Sequence, residues 1–185
     1  MHKGFYYKLA FTNLGKNRKF YLPYMLSCIL MVMLHFILCS LSYTDTWQTI
    51  PENAIVYTIL NLGCYVVEIF ALILLFYTNG FLMKRRKREF GLYNVLGMEK
   101  RHIGRVLFWE TFFAFSASIL VGLGLGILLS KLAELLLCNM LQFEIRYAWE
   151  FIPRAFLRTG SIFLLYAALM LLHSLWQLRK AKPVE

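Results

Sequence analysis

Four long apolar runs, each free or nearly free of charge and bounded by charged or polar clusters, limit what this chain can fold into. They cover about Phe20 to Ser42, Ala54 to Leu82, Leu107 to Leu129 and Thr159 to Leu178. Each approaches or exceeds the roughly 20 residues that a helix needs to cross a hydrocarbon core of about 30 Å. Only 16% of the residues are charged and 59% are hydrophobic, whereas an ordinary soluble domain carries about a quarter charged residues. A soluble all-α protein would also distribute its charges along every helix; here they cluster. The expected fold class is all-α: a polytopic membrane protein with four transmembrane helices. The basic, amphipathic residues 1–19 form an interfacial helix that leads into them.

The interiors of the runs carry few polar residues, and each invites a reading. Pro23 falls in the first turn of its span, where a missing N–H does no harm. His35 is the one ionisable residue of the first span; a neutral ring hydrogen-bonded to a neighbouring helix competes with a proton-relay role. Glu68 lies near the middle of the second span. A carboxylate there is costly and must face helices, water or a partner, either protonated or paired with a base on a helix outside this chain. Glu110 opens the third span within reach of basic residues, as an interfacial ion pair. Ala114, Ser118, Gly122, Gly126 and Ser130 recur every four residues and make one face of small side chains. Such a face lets another helix approach closely without saying which. Gly-Leu-Gly-Leu-Gly within it lacks the strand-to-helix context and the lysine of a phosphate loop. Cys28, Cys39, Cys64 and Cys138 sit in or near apolar runs as small hydrophobes and suggest neither a disulfide framework nor a metal site. About twenty polar and aromatic residues before the first run, with no small-residue cleavage site after it, argue against a cleavable signal.

The net charge of +10 does not point to nucleic acid, because the basic residues flank apolar spans and no zinc spacing or helix-turn-helix pattern accompanies them. They set topology instead. The N-terminal segment, the loop 83–106 and the tail 179–185 are rich in lysine and arginine. Tyr43–Asn53 has none, and Lys131–Arg158 is mixed. The positive-inside rule then puts both termini and 83–106 in the cytoplasm, with residues 20–178 as the four-span unit. Trp47, Tyr147 and Trp149 suit the opposite interface. Segment 83–106, MKRRKREFGLYNVLGMEKRHIGRV, reads as a short amphipathic helix between two basic collars. It is suited either to a groove in a soluble partner or to a solvated loop.

The residues LAFTNLGKNRKFYLPY before the first span, KRRKREFGLYNVLGMEKRHIGRVLFWE after the second, and the closing AKPVE together resemble FtsX-like ABC permeases of the bacitracin-resistance (Bce) type. The resemblance implies that 83–106 contains a cytoplasmic coupling helix seated on an ABC ATPase. Phe90, Gly91, Leu92, Tyr93, Asn94, Val95, Leu96, Gly97 and Met98 would form its docking surface. Two ATPase subunits would bind the ATP, and the permease itself would need no cofactor; it contains no Walker-type phosphate loop. Relatives of this type free cell-wall lipid targets from peptide antibiotics in the bacterial plasma membrane, often beside a sensor histidine kinase.

Complete Bce-type permeases have about ten spans and a large extracellular domain, so this chain corresponds to the first FtsX-like unit. A truncation, a fragment or a split permease whose other half is a separate chain would each look like this. Two rival readings remain. One is a four-span interaction or regulatory protein without transport, for instance a sensor-kinase partner. The other is a cell-division or lipoprotein-release permease of the same superfamily. An enzyme is disfavoured, because Glu68, Glu110, His35 and His173 fall on different spans and suggest no nucleophile–base pair.

Overall fold

In a computed structural model of the chain, the described backbone comprises residues 18–44, 54–95, 97, 100–141 and 152–180, with 8, 12, 13 and 15. It holds four long helices: α1 (Arg18–Tyr43), α2 (Ala54–Val95), α3 (Lys100–Leu141) and α4 (Pro153–Lys180). All four are long and apolar enough to cross a membrane, and no strand occurs among the described residues. The fold is all-α. Trp47, Tyr147, Trp149, residues 181–185 and most of 1–19 lie outside the described residues.

The helices overrun the apolar segments. α2 and α3 have 42 residues each, about 63 Å at 1.5 Å per residue, roughly twice a hydrocarbon core. α2 does not stop at Leu82. It continues through the basic cluster because Lys, Arg, Glu and Leu are good helix formers and no proline intervenes. It ends just before Gly97, whose φ of 85° is the left-handed conformation that closes helices and suits glycine. α4 opens on Pro153, where the lost N–H was unbonded anyway, and its turn closes through the Phe156 N–H donating to the Ile152 carbonyl at 3.3 Å. α1 starts before its apolar run, so Pro23 lies inside the helix rather than in its first turn. Its ring removes one i to i−4 bond there.

The chain divides into two compact units. The first takes the described parts of Met1–Ser27, Ile73–Ser118 and Leu165–Glu185. Its centre is Met83, Ile103, Leu107 and Leu178, with Tyr24 edge-on to Phe115 at 6.1 Å and the Asn79 amide donating to Ser174 Oγ at 3.0 Å. The second takes the described parts of Cys28–Leu72 and Ile119–Leu164. In it α1 and α3 meet at the small-residue face. A Cβ on Gly122 would stand 2.8 Å from Val32 Cβ and 3.0 Å from the Ile29 carbonyl, and one on Gly126 would stand 3.0 Å from the Phe36 ring. Outward faces are apolar: Ile59, Leu62, Ile69 and Ile73 of α2 are each more than half exposed. A surface of this kind needs lipid or another apolar partner.

Candidate functional site

Among the described residues, each unit brings charged side chains of different helices together, part-buried in the second and fully buried in the first. In the second, Glu68 on α2 accepts two hydrogen bonds on Oε1, from Arg158 Nη2 at 2.8 Å and His35 Nε2 at 3.0 Å. Arg158 Nη1 also donates to the Tyr43 hydroxyl at 3.2 Å, and its guanidinium lies 5.1 Å from the Tyr65 ring centroid. His35 Nδ1 is 2.9 Å from the Thr159 hydroxyl. A neutral imidazole with its proton on Nε2 satisfies both contacts, donating to Glu68 and accepting from Thr159. The bases that face Glu68 are therefore on α1 and α4 of this chain, not on a helix outside it. The Cys39 and Cys64 sulfurs approach to 3.4 Å beside the cluster as free thiols. Among the described residues no three His, Cys, Asp or Glu side chains converge as metal ligands.

In the first unit, Glu110 on α3 is completely buried. Its Oε2 receives the Arg86 Nη2 and the Tyr21 hydroxyl (2.9 Å), and its Oε1 receives the Asn13 amide at 3.0 Å. Arg86 Nη1 donates to Glu89 at 3.2 Å, and its guanidinium packs 5.6 Å from the Tyr21 ring centroid. A buried ion pair is tolerable only when further hydrogen bonds compensate for lost hydration; Tyr21 and Asn13 supply them. Segments of α1, α2 and α3 and the N-terminal segment thus converge on one carboxylate.

In the sequence Arg86 is one of the cations of the first basic collar. It is 2% exposed, although its neighbours Lys84 and Arg85 face out. The buried stripe Leu75, Asn79, Leu82, Met83 reaches residue 86 at helical spacing, and extending it through the charge cluster would have picked Arg86 out. Glu110, expected to pair with the basic residues near it, pairs with Arg86 and is fully buried among the helices. Arg158 was assigned to the loop before the fourth span, but it is on α4.

The segment 90–95 completes α2. Leu92 is two-thirds exposed, Gly91 is partly exposed, and Gly97 is exposed. Neither glycine has a neighbour that an added Cβ would meet within 4 Å, so the φ of Gly97, not crowding inside the chain, calls for glycine there. The side chains of Phe90, Tyr93, Asn94, Val95, Leu96 and Met98 lie outside the described residues. Along the small-residue face, Ala114 and Ser118 are buried, and the Ser118 and Ser130 hydroxyls donate to the Ala114 and Ile127 carbonyls.

Known proteins are similar in sequence to most of this chain. The family profile described as FtsX-like permease C-terminal matches residues 62–183. The uncharacterized ABC transporter permease YvcS of Bacillus subtilis is 28% identical over 96% of this chain and 28% of its own length. The bacitracin export permease protein BceB of Bacillus subtilis is 29% identical over 90% of the chain and 26% of its own. BceB of Halalkalibacterium halodurans is 26% identical over 89% and 25%. The chain spans only about a quarter of the length of these curated relatives. With a family profile covering residues 62–183 on a backbone of four membrane-length helices, the chain belongs to the FtsX-like family of ABC transporter permeases.

Proposed function

We propose that this chain is the part of an FtsX-like permease that receives motion from a separate ABC ATPase, in a bacterial plasma membrane with both termini in the cytoplasm. The observation that carries the reading is α2. It is an unbroken helix from Ala54 to Val95, about 63 Å long, and its last turn carries the exposed Leu92. A helix without a break transmits displacement at its tip along its length. Near that tip Arg86 ties it to Glu110 on α3, and Glu110 in turn holds Tyr21 of α1. Movement of the tip therefore acts on three helices together. The ATPase, most simply a dimer, would supply ATP hydrolysis; the permease contributes no catalytic group.

The likeness to two bacitracin export permeases favours peptide-antibiotic resistance, by target protection or export, over cell division or lipoprotein release. A separate chain carrying the other permease half and a sensor histidine kinase are further expected partners. The test is native mass spectrometry of the complex gently extracted from its own membrane. An ABC ATPase should travel with the chain and be lost on Leu92→Asp. Extraction of the chain alone, or with a kinase but no ATPase, would overturn the reading.

A further inference from the structure

Within the first unit, α3 and α4 border a groove of about 440 Å³ whose chemistry the ATPase reading leaves unused. Arg101, Arg105, Phe108 and Trp109 line one wall at positions i, i+4, i+7 and i+8, the spacing of a single helix face. Leu175 and Leu178 line the other. Gly104 lies where the walls meet: a Cβ there would make ordinary contacts, 3.5 Å from Leu178 and 3.8 Å from Leu175. The aromatic wall is braced along α3, with Phe108 stacked on Phe112 and Trp109 on Phe113 at centroid distances of 6.2 and 5.6 Å. Both arginines are exposed.

The groove is cationic at one end and apolar at the other. From Arg101 to Trp109 the axial rise is about 12 Å, which takes the wall from headgroup depth into the hydrocarbon boundary. Phe108 and Trp109 sit where the apolar run of α3 begins, a level favoured by interfacial aromatics. A soluble protein docked at the surface does not reach that far down; an amphiphile does. Guanidinium groups bind phosphate oxygens in a fork geometry that lysine lacks, and basic clefts between membrane helices suit anionic headgroups.

We propose that the groove lined by Arg101, Arg105, Phe108, Trp109 and Leu175 binds one anionic phospholipid. Its phosphodiester lies between the two guanidiniums and its upper acyl chain runs along the aromatic wall. The lipid joins α3 to α4 a few residues beyond the docking segment, so the anionic lipid content of the membrane tunes how firmly these helices move together.

The experiment is native mass spectrometry of the full chain in mild detergent, titrated separately with dioleoylphosphatidylglycerol, dioleoylphosphatidylcholine and inorganic phosphate. One phosphatidylglycerol should be held about tenfold or more tightly than phosphatidylcholine, and inorganic phosphate should not displace it. Arg101→Gln with Arg105→Gln should weaken phosphatidylglycerol binding about tenfold or more. Lys19→Gln with Lys84→Gln removes the same charge from other exposed positions and should leave binding within about twofold. Leu175→Trp fills the groove without changing its charge and should also weaken binding. Equal loss in both charge variants would reduce the effect to general surface potential. Equal affinity for the two lipids would remove headgroup recognition, and displacement by phosphate would make it a simple anion site. A copurifying protein that excludes the lipid would reassign the groove to a protein interface. Any of these results overturns the proposal.

Discussion

Replacing Gly122 with alanine should weaken the second unit, whereas the same change at Gly124, two residues away on α3, should not. The added Cβ at 122 would sit 2.8 and 2.9 Å from two carbons of Val32 and 3.0 Å from the Ile29 carbonyl oxygen. Carbon atoms pack at about 3.5–4.0 Å, so α1 and α3 must separate by about 0.7–1.2 Å. Neither Val32 Cβ nor the Ile29 carbonyl is the far end of a flexible side chain that could swing aside. A radial gap of that size forfeits about a quarter to a half of the dispersion well at each contact along the seam, and overpacking of this kind costs about 1–3 kcal/mol. Alanine gains up to about 1 kcal/mol of helix propensity over glycine in water. That gain shrinks when the denatured chain stays helical in detergent. The net expectation at 122 is a loss of about 1–2 kcal/mol. At Gly124 nothing lies within 4 Å of the added Cβ, so only the small propensity gain remains. Unfolding of detergent-solubilised chain by titration with dodecyl sulfate, followed by circular dichroism, measures both. Equal stability of the two variants would show that α1 and α3 do not meet at this glycine.

Other substitutions test the charged clusters and the helix end. Glu68→Gln and Arg158→Gln should each destabilise the chain, and together by less than their sum, with a coupling of about 1–3 kcal/mol; strict additivity in the same titration would sever the pair. Glu110→Gln leaves the buried Arg86 guanidinium with only the part-exposed Glu89 as counter-charge and should cost about 3–5 kcal/mol. Arg86→Met combined with Glu110→Leu should recover much of that loss, and a double variant as unstable as the sum of its parts would contradict this. Gly97→Val places a β-branched residue at φ 85°, a strain of about 1–2 kcal/mol, while asparagine tolerates that conformation. ATPase copurification should therefore fall in the order Gly, Asn, Val, and an unaffected Val variant would remove the helix end from the docking surface.

Much of the architecture is visible in the linear chain because a bilayer imposes a local rule. Each crossing segment must be continuously apolar and satisfy its own backbone hydrogen bonds, so four helices and the small-residue face at Gly122 and Gly126 follow from runs and spacing alone. The left-handed Gly97 also carries a local signature, a glycine after a helix-forming stretch. The charged clusters do not. Glu68 and Arg158 are 90 residues apart and Arg86 and Glu110 are 24 apart, and only the helical register it shares with Asn79, Leu82 and Met83 sets Arg86 apart from the exposed Lys84 and Arg85 beside it. Whether a cation is solvated or buried depends on which neighbouring helix carries the carboxylate at the same depth. The sequence by itself determined the helical class, the membrane as solvent and the segments able to cross it, because those depend on each segment's own composition. Only tertiary packing decided that α1 fills the glycine face, that His35 and Arg158 share Glu68, and that Glu110 gathers Arg86, Tyr21 and Asn13. These pairings lower the energy of buried charge only when distant residues arrive at hydrogen-bonding distance together.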